Sequence, residues 1–75
     1  MIRISKTIVS ACGELKERKL LPVQFDDATK ANRFMDAYIL KVFEAGKSGY
    51  DEWGSYWWGC DATPDNVIHR YQLDS

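Results

Sequence analysis

The stretch DDATKANRFMDAYILKVFEAGKSG, residues 26–49, is the clearest helical segment of the chain. A lone amphipathic helix must bury its apolar stripe against something else, and here only a sheet is on offer. At about 100° per residue, Ala28, Ala31, Phe34, Met35, Tyr38, Ile39, Val42 and Ala45 gather on one side. That stripe is the expected core face. Asp26 or Asp27 can cap the free amides at the start, and Gly46 marks the expected stop. Lys30, Arg33, Lys41 and Glu44 fall on the opposite, solvated side. Leu40 and Phe43 sit on the flank next to Asp36, either covered by the tryptophan-rich segment that follows or left as part of a partner surface.

Before the helix, KLLPVQF (19–25) reads as a strand with Leu21, Val23 and Phe25 on one face, and Pro22 points to an edge position. IRISKTIVSAC (2–12) fits either a strand, joined to the next by the turn-like GELKER, or a helix through Ile8, Ala11, Cys12 and Leu15. β-Branched Ile2, Ile4, Ile8 and Val9, together with Gly13, favour the strand. After the helix, TPDN (63–66) is a turn signal between two apolar-rich runs, which predicts a hairpin. Closure around a loop of two or four residues pairs Ala62 with Val67, Cys60 with His69, Trp58 with Tyr71 and Tyr56 with Leu73. Those side chains would then lie on the helix, with Trp57 turned outward opposite Gln72 and near Arg70 and Ile68. GKSGYDEWGS (46–55) reads as an irregular loop or short edge segment carrying Tyr50 and Trp53. The expectation is an α+β domain spanning residues 1–75, a β-β-α-β-β antiparallel sheet packed on one central helix.

A chain of 75 residues buries only about 60% of the surface its unfolded form exposes, so large aromatic side chains are needed to fill the core. Five of the ten aromatics lie in YDEWGSYWWGC, residues 50–60. No apolar run is long enough to span a membrane and the start lacks a secretory pattern, so the expected compartment is the cytosol. Cys12 and Cys60 are accordingly read as reduced thiols. Ten basic against eleven acidic side chains is too balanced for a typical nucleic-acid binder. The charge is unevenly spread: residues 1–43 carry eight basic and five acidic groups (+3), residues 44–75 two basic and six acidic (−4).

Residues able to do chemistry are few. His69, predicted opposite Cys60, could form a nucleophilic pair, but no oxyanion site or orienting third group accompanies it, and a packed histidine suffices. Cys12, Cys60, Asp61 and His69 have no metal-ligand spacing, so no metal or other cofactor is expected. Asp26-Asp27 is explained by capping and Asp51-Glu52 by a solvated loop, while GKSG lacks the spacing of a phosphate loop. The expectation is a protein that is not an enzyme.

Binding fits better. Trp57 with Arg70 could stack single-stranded bases, but Asp51, Glu52, Asp61 and Asp65 lie in the same segment and would repel phosphates. Trp, Tyr and Arg inside a charged rim are also the composition of a protein interface. The candidate partner-binding residues are Trp57, Trp53, Tyr50, Arg70, Ile68, Gln72, Asp51 and Glu52, and the expected partner is a larger protein or complex. Self-association through the exposed face or the Pro22 edge would use the same surfaces. In length, α+β plan and lack of a catalytic set, the chain resembles the small proteins that phages make to inhibit host machinery, the anti-CRISPR class among them. That resemblance carries no motif and transfers no functional residue; it implies action by occupying a surface of a larger host protein.

Overall fold

The computed structural model describes residues 1–10, 12–43, 46–60 and 67–74. The elements run β1 (Ile2–Val9), β2 (Leu15–Phe25), α1 (Ala28–Val42), β3 (Ser48–Asp51), β4 (Tyr56–Cys60) and β5 (Ile68–Asp74). All pairings are antiparallel and give one five-stranded sheet in the order β2-β1-β5-β4-β3, with α1 packed on one face. The fold is α+β, as the patterning requires. The chain's first segment is a strand rather than a helix, and GELKER is largely strand too, since β2 begins at Leu15. β2 lies at the sheet edge, where Pro22 costs no ladder bond to a second neighbour. The connection after the helix holds the short edge strand β3, one strand more than the expected plan.

The helix starts where Asp27 accepts a hydrogen bond from the Lys30 amide at 2.8 Å. It ends at Val42, short of Gly46, with Phe43 as its C-cap. Ala31, Met35 and Ile39 are buried and Phe34 and Tyr38 half-buried, whereas Ala28 and Val42, at the ends of the expected stripe, are exposed. Ala45 lies outside the described residues. Met35 and Ile39 meet Ile4, Trp57 and Tyr71 of the sheet, with Leu21, Val23 and Phe25 of β2 packed around them as the alternation predicts. Of the two flank residues, Phe43 packs against the core and Leu40 is 73% exposed.

The last hairpin departs from expectation by one residue. The observed pairs are Trp57 with Tyr71, Trp58 with Arg70, Gly59 with His69 and Cys60 with Ile68. The predicted partner Ala62 lies outside the described residues. The final paired positions, 60 and 68, are separated by an odd number of residues, so closure cannot follow a two- or four-residue loop. A slip of one residue sends every side chain of a strand to the other face. Tyr71 and Leu73 therefore face the helix as expected, but on β4 the inward side chains are Trp57 and Gly59.

Packing explains why this register wins. A Cβ on Gly59 would lie 2.5 Å from the ring of Phe43, so the ring occupies the space that a side chain facing inward would need. Trp57, 4% exposed, fills the core beside it and donates its indole N–H to Asp36 Oδ1 at 3.1 Å. The indole's one polar atom thus reaches a carboxylate on the helix flank, which lets so large a ring be buried without stranding a donor.

Candidate functional site

The face of the sheet turned away from α1 has no covering element among the described residues. Its cross-strand neighbours follow from the register. One row runs Arg18, Thr7, Arg70, Trp58 and Gly49 across all five strands. An apolar row, Leu15, Val9, Ile68 and Cys60, lies on one side of it. On the other side are Leu20, Ser5 and Gln72, and then Gln24, Arg3 and Asp74. Tyr56 and Asp51, paired with each other, share this face at the β3–β4 end. Residues from both halves of the chain are therefore brought together, and the N-terminal half supplies the cations Arg3 and Arg18.

Two aromatic rings are held in place here. The indole of Trp58 lies against β3 so closely that a Cβ on Gly49 would be 3.2 Å from its ring, and the glycine serves as its seat. The Arg70 guanidinium sits over the Tyr56 ring, its carbon 4.9 Å from the centroid. Asp51 accepts from the amides of Trp53 at 2.9 Å and Gly54 at 3.3 Å, which fixes the turn between β3 and β4. The Tyr56 hydroxyl beside it, more than those amides, holds the Asp51 carboxyl below the usual carboxylate range, and the same interaction raises the tyrosine. The Gln72 amide donates to the Gly54 carbonyl at 3.4 Å, tying β5 to that turn.

The sequence-derived candidates divide accordingly. Arg70, Ile68 and Gln72 lie on the open face, and Asp51 is at its margin. Trp57 does not: it is buried under the helix, and the outward position expected of it is occupied by the half-buried Trp58. Tyr50, 47% exposed, is on the helix side, its ring edge-on to Trp57 at 4.8 Å. Trp53 is fully exposed at the turn tip with Glu52, off the sheet faces. Tyr56, Trp58, Arg3 and Arg18 were missed. Gly49 and Gly59 were the available signal, since a glycine opposite or beside a cluster of rings marks where a ring lies flat.

The nucleophile pair considered from the sequence is dismantled by the same register. Cys60 pairs with Ile68 on the open face, while His69 faces the helix, where its ring lies 5.5 Å from that of Phe43. Cys12 is exposed, its thiol 3.1 Å from the Ser10 hydroxyl, a contact that lowers its pKa. Among the described residues no group of His, Cys, Asp and Glu could hold a metal ion, and no helix is long and apolar enough to cross a membrane. No protein-family description, curated protein or solved structure matches the chain.

Proposed function

We propose that the protein is a non-enzymatic binding module that docks a larger protein or complex on the open face of its sheet and acts by occupying that partner's surface. The observation that carries this reading is the row Arg18, Thr7, Arg70 and Trp58, which no element covers among the described residues, with the seated rings of Trp58, diagonal to Ile68, and Tyr56 on the same face. Interface hot spots favour Trp, Tyr and Arg held rigid before binding, because less side-chain entropy is then lost on docking. Trp58 takes the anchor role that the sequence suggested for Trp57.

The test compares tagged wild-type protein with Trp58→Ala and Trp53→Ala in affinity purification from the native host. A specific partner retained by wild type and by Trp53→Ala, and lost by folded Trp58→Ala, supports the assignment. Retention of that partner by Trp58→Ala would remove the open face from consideration. Light scattering across concentrations separates self-association, which would appear as a mass that rises with concentration and returns to the monomer in Trp58→Ala.

A further inference from the structure

The open face carries more cationic than anionic capacity, although the chain as a whole is slightly acidic. Arg3, Arg18 and Arg70 belong to it. Among the described residues two carboxylates stand against them. Asp74 is the cross-strand neighbour of Arg3, and Asp51 is engaged by the amides of Trp53 and Gly54 and by the Tyr56 hydroxyl, with a weaker attraction to Arg70. Arg18 and Arg70 flank the small residue Thr7 in one row, the Arg70 guanidinium lying over the Tyr56 ring. Where the β1–β2 register shifts between Arg3 and Ser5, β2 bows and leaves an open groove of about 500 Å³. Arg3, Leu20, Leu21, Pro22, Val23 and Gln24 line that groove, and its surface is more polar than apolar.

We propose, building on the docking role of this face, that its partner is an acidic protein segment: carboxylates meet Arg18, Arg70 and Arg3, and an apolar or aromatic side chain packs against Trp58. Arginine forks take carboxylates in paired hydrogen bonds, and a positive patch also speeds encounter with an acidic surface. A second copy of this chain fits poorly, because apposing two such faces brings arginine clusters of like charge together. Single-stranded nucleic acid shares the negative charge, but sheet modules that read it stack two or three bases. Arg70 already covers the Tyr56 ring, which among the described residues leaves Trp58 as the one ring on this face for a base.

The experiment selects short random peptides from a displayed library on immobilised wild-type protein, on Trp58→Ala and on the charge-reversed Arg18→Glu/Arg70→Glu variant, each first shown to be folded by its thermal transition. The wild type should enrich peptides rich in Asp and Glu around a Trp, Phe or Leu. Trp58→Ala should enrich none of them, and the charge-reversed variant should turn the preference toward Lys and Arg. A synthetic peptide from the wild-type pool should shift the amide resonances of Thr7, Arg70 and Trp58, and should bind about tenfold more weakly to Arg18→Gln/Arg70→Gln. Neutral or basic peptides that still depend on Trp58 would overturn the acidic partner while leaving the docking face intact. Peptides indifferent to Trp58, or no enrichment at all, would overturn the acidic partner and count against the face as well. Saturable binding of oligothymidylate that displaces the peptide and falls steeply with salt would assign the face to nucleic acid instead.

Discussion

The two faces of the sheet are built from the same residue types but put them to different use. On the face under α1, Trp57, Tyr71, Ile4, Met35 and Ile39 close against one another, and the polar atom of the largest ring is bonded to Asp36. On the open face, Trp58 and Tyr56 are just as firmly placed, by Gly49 and by Arg70, but what surrounds them is Thr7, Arg18 and Gln72 rather than a second layer. Adjacent tryptophans in the sequence thus have separate tasks. Trp57 contributes apolar burial that a small domain cannot do without, and Trp58 keeps part of its ring uncovered by the rest of the chain. Rigidity alone does not mark a core residue; what distinguishes the two is whether the chain itself supplies the other side of the contact.

The largest way to break that comparison is Trp57→Ala. Removing a buried ring of this size costs about 3–5 kcal/mol, a large share of the stability of so small a domain. Loss of the cooperative thermal transition, or a fall in Tm of well over 10 °C, is the expected outcome; a variant melting near the wild type would put Trp57 outside the core. Next comes Gly59→Val. Its new side chain would meet the Phe43 ring at core-clash distance, so the helix end must move or β4 must slip, at a cost of about 1–3 kcal/mol. The companion change Phe43→Ala should relieve part of the cost of Gly59→Val, which a double-mutant cycle on chemical denaturation would measure. Additive losses would mean that ring and glycine do not share one space.

How much of this was readable from the chain differs strand by strand. The helix, the inward set Leu21, Val23 and Phe25, the edge position of Pro22 and the parity of β5 follow from period and propensity, because in each segment one face is clearly more apolar than the other. YWWGC has no such contrast. Either parity presents a tryptophan to the helix, so alternation cannot choose, and the decision falls to loop length and to whether Gly59 or Cys60 must admit the Phe43 ring. The candidate site inherited that ambiguity. Arg70, Ile68 and Gln72 were placed rightly because β5 was, Trp57 and Trp58 were exchanged because β4 was not, and Arg3 and Arg18 stayed out of sight. Their arrival depends on β1 pairing with β5, a long-range contact with no local signal.

Trp58→Ala sharpens the comparison from the other side. The loss is limited to contact with the Gly49 backbone and its half-buried neighbours, so denaturation should register about 1 kcal/mol or less. A cost approaching that of Trp57→Ala would show that the open face is a second core and would remove the contrast between the two indoles.

The smallest expected effect concerns pH and the turn that borders the open face. Asp51 has its folded pKa depressed, by the Tyr56 hydroxyl first and then by the Gly54 and Trp53 amides. The sign follows from that direction: its stabilising contacts are fully present above the ordinary carboxylate value, about 4, and are lost only as pH falls through the lower folded value. The amide resonances of Trp53 and Gly54 should therefore hold their positions through the range where ordinary exposed carboxylates titrate, then move together at lower pH, while the amides of the Trp57–Tyr71 core pair stay still. Asp51→Asn should abolish that late step and leave the core untouched. A midpoint at or above the ordinary value would mean that the carboxylate is free of the turn. Its remaining partner would then be the Arg70 guanidinium, which already acts on it, rather than the turn.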